Sequence, residues 1–348
     1  MGKAYVGPNA EFSRSSDKSF EWAVMKQPLV RITFRSVLLL ALATGTCAAF
    51  AAKTALPGRQ VKVAAICIGF GGDHDQKLKL ALEHLETAGQ QGVDIACLPE
   101  EFAGTTAEPI PGPTVDAVAA LARKHGMYVI CPIREQAGSE QYNTAVLLDR
   151  QGKVAGQYRK VFVFWGEGLL PSRDGVKAFD TDFGRISILT CFDLNFPELW
   201  QQADMLDVDI VFWPSAYTGG SPLNAMATLY HYYVVPVGAG NIIDATGRTI
   251  EKLEEPRPAQ FIATLDLDRT FIHHDFTKEK VEKLLREHND EVEQEKDSGS
   301  KAWYLLRSIK PGVRVRDLCE QYKIETLRQY QHRSREQINA ARTAGKKI

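Results

Sequence analysis

Phe183 to Trp200 reads FGRISILTCFDLNFPELW. Ile186 to Thr190 is a short apolar, partly β-branched run of the kind that forms a buried strand. It stops at Cys191, and Asn195, Pro197 and Glu198 then supply a turn and the first residues of a helix. A thiol at such a strand-to-helix elbow presents its sulfur to a pocket, while the backbone N–H groups that follow, beginning with Phe192, point at an oxygen developing negative charge. A lone cysteine in an apolar strand is more often an inert core residue, so the elbow takes its meaning from what the rest of the chain places beside it.

Upstream, Val61–Ile68 reads as a strand, Asp75–Gln90 as an amphipathic helix carrying Leu78, Leu82 and Leu85, and Asp94–Pro99 as a second apolar run ending at Glu100. A Pro-Gly-Pro turn at 111–113 leads into a helix over 114–124, closed by Gly126, and a strand follows at 127–133. Strands at 143–149 and 153–164, the latter containing Lys160, come without a helix between them. Downstream of the elbow the βα alternation resumes: a helix from Pro197, a strand at 209–217, a helix around 222–231, a strand at 232–240, a hairpin turning at Gly247 and a strand at 260–268. Strands apolar on both faces, in mixed βα units and hairpins, define a layered α/β protein whose sheets are covered. Residues 276–301 alternate in charge and read as a solvated helix and linker. The tail from Ala302 to Ile348 reads as a helical appendage that packs on the domain or on a partner subunit.

The first fifty residues differ in kind. Lys26, Arg31 and Arg35 precede the apolar run SVLLLALATGTCAAFA, which ends in a small-x-small pattern at Ala49 and Ala51, the layout of a secretory signal peptide cleaved after Ala51. A natural start at Met25 would give that signal its usual short basic region. Export to a periplasmic or extracellular space follows, with an uncleaved anchor as the alternative. Cleavage removes six basic and three acidic residues, leaving 36 basic against 40 acidic. This mildly acidic balance gives no footprint for nucleic acid or an anionic membrane. Five cysteines remain, so at least one cannot pair within the chain, and none lies in a CxxC pair of the sort that holds structural zinc. The cluster His273, His274, Asp275 reads as surface.

A cysteine nucleophile needs a base, a group to hold that base, and donors for an oxyanion. Three further residues stand at the ends of apolar runs: Glu100 in LPEEFAG, with Glu101 as the alternative register, Lys160 in YRKVFVF, and Glu167 in WGEG. In this order and setting the chain resembles the nitrilase, or carbon-nitrogen hydrolase, superfamily from about Val61 to Asp268. Glu100, Lys160 and Cys191 match its Glu-Lys-Cys triad, and CFDLNFPE matches the setting of its nucleophile. The resemblance implies a four-layer αββα sandwich over residues 52–275, commonly paired into homodimers. It also implies hydrolysis of a non-peptide carbon-nitrogen bond in a small amide or N-carbamoyl compound, without metal or organic cofactor. Nitrile hydrolysis or acyl transfer by the same triad, or a non-catalytic binding protein on the same fold, are the alternatives. On the same resemblance Glu100 is general base and then general acid, Lys160 and the Phe192 N–H stabilise the oxyanion, and Glu167 orients substrate. Trp165 and Tyr217, with Phe162 and Trp213, are candidate pocket walls.

Overall fold

The computed structural model describes residues 56–69, 72–238, 240–252 and 259–348. The signal peptide expected at 1–51, with Met25, lies outside the described residues.

Alternation along the first strands separates two cores. In β1 (Gln60–Cys67), Val61, Val63, Ala65 and Cys67 face one buried cluster while Ala64 and Ile66 face another. That second cluster is filled by α1 (His74–Gln90), through Ala81, Leu85 and Ala88, and by α2 (Pro113–His125), through Val115, Val118 and Ala122. The same division runs through β2 (Ile95–Cys97), β3 (Tyr128–Ala137) and β4 (Glu140–Leu148). A period of two with both faces apolar is what a sheet covered on both sides requires. Asp73 caps α1 by accepting the Gln76 N–H at 3.1 Å, and Gly126, at φ +62°, closes α2 in the left-handed conformation.

β5 (Val154–Arg159) and the short β6 (Ala178–Asp180) precede β7 (Arg185–Ile188), a 3-10 turn at Cys191–Asn195 and α3 (Pro197–Met205). Then come β8 (Ile210–Pro214), α4 (Ser221–Tyr230), β9 (Tyr233–Val237), β10 (Asn241–Ile243), β11 (Thr249–Lys252) and β12 (Ala259–Asp266). Two six-stranded sheets result, ordered β12-β1-β2-β3-β4-β5 and β11-β10-β9-β8-β7-β6. Their facing sides share one core with Leu199 and Trp200 of α3 and Leu223 and Ala227 of α4. With α1 and α2 on the other flank, the layers are α, β, β, α: the four-layer sandwich expected from the sequence.

β1, β2 and β3 are mutually parallel, as are β7, β8 and β9. Their C-terminal ends therefore deliver loops to one edge of each sheet, where ligands of parallel α/β proteins sit.

The C-terminal region differs from the helix, linker and helical tail expected. A third sheet, ordered β13-β15-β14, is built from β13 (Thr270–His273), β14 (Val292–Gln294) and β15 (Trp303–Ser308). Around it lie α5 (Lys278–Glu287), α6 (Val315–Gln321) and α7 (Leu327–Ala344). Val281 and Leu284 of α5 and Leu318 of α6 bury against Ile272 and Leu306 of this sheet. The sheet thus begins at Thr270, before the boundary expected at 275, and α5 is amphipathic instead of solvated all round. Strands this short give no alternation long enough to read. The appendage packs on its own domain: Arg328 donates to the carbonyls of Val208 and Tyr230, at 3.0 and 3.3 Å, and pairs with buried Asp204.

Candidate active site

Glu100 follows β2 by three residues, after Leu98 and Pro99, and is 5% exposed. Lys160 comes directly after β5, whose ladder it prolongs by donating its N–H to the Asn143 carbonyl at 2.8 Å. The strand expected over 153–164 therefore ends at Arg159, and the Lys160 side chain turns fully inside. Its ammonium lies 2.8 Å from Glu100 Oε1 and 2.6 Å from Glu167 Oε1. The register question at 100 and 101 is settled by these bonds: Glu101 instead forms a forked pair with Arg134.

Glu100 is held on both oxygens. Asn143 Nδ2 and Lys160 donate to Oε1, and the Ala216 N–H, just beyond β8, donates to Oε2 at 2.9 Å. A carboxylate so fixed keeps its orientation while a proton comes and goes. Burial disfavours the Lys160 ammonium, but the Glu100 charge, Cys191 and the two hydrogen bonds outweigh it and hold its pKa above the ordinary lysine value.

Cys191 has φ +46°, a left-handed backbone that a residue with a Cβ rarely adopts. Such strain at an elbow lifts the side chain clear of the strand it ends. Asp193, fully buried, pins the elbow. Its Oδ2 accepts the Thr190 N–H at 2.9 Å and the Tyr158 hydroxyl at 2.7 Å, and its Oδ1 accepts the Phe162 N–H at 2.8 Å. One carboxylate thereby joins the residue before Cys191 to residues on either side of Lys160. Burial pushes the Asp193 carboxyl up to about 6 despite these three bonds.

The thiol is not a standing thiolate. Burial, then the charge of Glu100, raise its pKa to about 12 against the opposing pull of Lys160. The resting arrangement is thus a protonated thiol beside a buried carboxylate and an ammonium, in which the lysine's pull toward thiolate is outweighed.

Glu100, Glu167, Cys191 and Ala216 line a cleft of about 540 Å³ together with Phe164, Glu101 and the segment Ala103–Thr106, with Gly72 and His74 completing it. The triad and Glu167 are brought together as expected. Trp165, 87% exposed, does not line this cleft, whereas Tyr217 packs edge-on against Trp213 with its hydroxyl within the electrostatic reach of Cys191, Lys160 and Glu100. Trp213 is wholly buried, its Nε1 donating to the Cys191 carbonyl, while Phe162 stacks on Phe196 and Phe192 meets Phe164 and Phe196 edge-on. Phe162, Phe196 and Trp213 pack against the elbow, while Phe164 faces the cleft. Asn143, Asp193 and the Ala216 N–H were not singled out from the sequence for these roles. Asp193 reads there as an ordinary acid of a first helical turn, and Asn143 as the start of a strand.

His273 stacks on Tyr330 and His274 meets Tyr304 at a tilt of 48°, and no cluster suited to a metal ion occurs among the described residues. Of the described cysteines, Cys97, Cys131, Cys191 and Cys319 are free thiols.

A buried cysteine, glutamate and lysine meeting at the strand ends of an αββα sandwich define a nitrilase-type protein. The family comparison says the same: residues 62–270 match the carbon-nitrogen hydrolase family, and the chain belongs to it. Similar curated proteins include N-carbamoylputrescine amidase of Solanum lycopersicum, 28% identical over 45% of this chain and 59% of that protein. β-Ureidopropionase of Arabidopsis thaliana is 31% identical over 39% of this chain and 38% of its own length. The matches thus span less than two thirds of these relatives. Among solved structures, an amidase from Nesterenkonia sp. AN1 aligns with a TM-score of 0.55 at 18% identity, over 68% of this chain and 99% of that one. A Saccharomyces cerevisiae member of branch 10 of the nitrilase superfamily gives 0.54 at 22% identity, over 60% and 91%.

Proposed function

We propose that the chain hydrolyses a non-peptide carbon-nitrogen bond in a small amide or N-carbamoyl compound through a thioester on Cys191. The observation that carries this reading is the bridge of Lys160 Nζ between Glu100 Oε1 and Glu167 Oε1 beside the strained Cys191 elbow, all at one cleft. Amidase and ureido-hydrolase relatives support it.

The chemistry starts from the protonated thiol. As the sulfur adds to the substrate carbonyl, its proton passes to Glu100, so no free thiolate need accumulate. Two of the three Lys160 N–H bonds go to the carboxylates, leaving one for the oxygen that becomes negative. The Phe192 N–H, next along the chain, is the second donor. Collapse of the tetrahedral centre breaks the C–N bond, and Glu100 returns the proton to the departing nitrogen. Water then adds to the thioester while Glu100 again takes a proton, and the acid leaves as the thiol is reprotonated. Asp193 holds the Lys160 segment and the elbow in register throughout.

The test is ammonia release from a panel of small amides, ureido acids and nitriles, comparing the protein with Cys191→Ala. Loss of release in a folded variant supports the thiol as nucleophile, and the best substrate names the branch. A well-folded protein that releases ammonia from none of them would count against the reading and favour a binding role.

A further inference from the structure

The cleft is acidic where a substrate would enter it. Three carboxylates line it, Glu100, Glu101 and Glu167, whereas no lysine or arginine does so among the described residues. Lys160 lies beneath the surface with a side chain 0% exposed, and Arg134 stands behind Glu101 with both its bonds directed at that carboxylate. Counting those two cations, the three carboxylates exceed them by one charge before any ligand arrives. Of the other titratable lining residues, Cys191 carries a protonated thiol and His74 already faces a carboxylate, Asp75, at 2.9 Å.

Glu167 adds an independent observation. Its Oε1 takes the Lys160 and Phe164 donors, but its Oε2 is buried without a hydrogen-bond partner. A buried acceptor left open calls for a donor, and a ligand N–H supplies one. Glu101 also holds φ +41°, so two of the few left-handed non-glycine residues, Glu101 and Cys191, both face this cleft.

We propose that the Glu101–Arg134 pair makes this cleft selective for amides and N-carbamoyl compounds whose far end is neutral or carries an ammonium group, and selective against those ending in a carboxylate. The inference rests on the hydrolase reading and deepens it. A carboxylate entering a partly buried site with excess negative charge finds no guanidinium fork and meets Glu101 and Glu167, whereas an ammonium is drawn in. Glu101 is the specificity residue and Arg134 the group that orients it.

The test uses the full chain and three monosubstituted ureas of equal length ending in a methyl, an ammonium or a carboxylate group. The readout is each charged compound's kcat/KM divided by that of the methyl compound within one protein. The carboxylate ratio should be about 0.1 or less, and the ammonium ratio one or more. Raising salt to about 0.5 M should bring both toward one. Glu101→Gln leaves Arg134 without its carboxylate and should raise the carboxylate ratio about tenfold, while Arg134→Gln should lower it. Carboxylate turnover equal to or better than methyl turnover in the unaltered protein would overturn the proposal, and so would an unchanged ratio in folded Glu101→Gln. If not even the methyl compound is hydrolysed, the amide panel above decides the hydrolase reading separately, and binding of the same three ureas to Cys191→Ala by calorimetry decides the selectivity. Binding in the order ammonium, methyl, carboxylate supports it; equal or absent binding refutes it.

Discussion

Replacing Glu100 with Gln should make the Cys191 thiol more acidic while turnover collapses. The thiol pKa is raised from 9.0 to about 12 by burial first, then by the charge of Glu100, which a hydrogen bond between the two side chains reinforces. At pH 8 such a thiol is ionised in only about one molecule in ten thousand. Removing a carboxylate charge near contact distance is worth up to about 4 kcal/mol at an effective dielectric near 20, and local water reduces it. The thiol midpoint should therefore fall by about one to three pH units, raising the thiolate fraction at pH 8 about 10- to 1000-fold. Lys160, left opposite the sulfur, acts in the same direction. Hydrolysis should nevertheless drop by about 10²- to 10⁴-fold, because the group that takes and returns the proton is gone. The assay is ultraviolet thiolate absorbance against pH, taken as a difference from Cys191→Ala so that tyrosine ionisation cancels, alongside ammonia release. A midpoint near or below 9 in the unaltered protein, or a midpoint that does not fall in Glu100→Gln, would refute the reasoning. The first result would mean that Lys160 activates the thiol at rest, the second that burial and not the Glu100 charge keeps it protonated.

Lys160→Met should leave Glu100 and Glu167 facing one another without their shared cation, costing about 3–5 kcal/mol in denaturant unfolding and essentially all activity. Asp193 gives a pH signature. Its folded pKa of about 6 lies above the ordinary 3.8, so the protonated form is favoured by folding. The corresponding stability, about 3 kcal/mol, is present below pH 4 and lost as the pH rises through 6. Relative to Asp193→Asn, the unaltered protein should lose that amount between pH 4 and 7 in equilibrium unfolding, and parallel curves would contradict it. Arg328→Ala should leave Asp204 with only His332 beside it and loosen α7 from the domain. A loss of about 3 kcal/mol is expected, with earlier proteolysis of the tail as the check. If the segment before Ala51 is the signal peptide its pattern implies, N-terminal sequencing of the native product should read from Ala52, and a retained upstream segment would contradict it.

What the sequence by itself determined is whatever depends on short-range pattern. Period-two apolar runs, the helix bounded by Pro113 and Gly126, and the elbow at Cys191 are local, because burial on both faces and left-handed turns constrain neighbouring residues. The order of Glu100, Lys160 and Cys191 was legible for the same reason, each standing at the end of its own apolar run. Tertiary structure decided the rest. Which of Glu100 and Glu101 meets Lys160 depends on a side chain arriving from 60 residues away. That the thiol rests protonated follows from burial and from a charge that only folding brings near it. Asp193 became the pin of the site because its partners come from β5, from the segment after it and from the elbow. Trp165 fell outside the cleft because aromatic character says nothing of direction. The third sheet escaped notice because its strands, of three to six residues, are stabilised by one another and by α5 and α6, not by any pattern of their own.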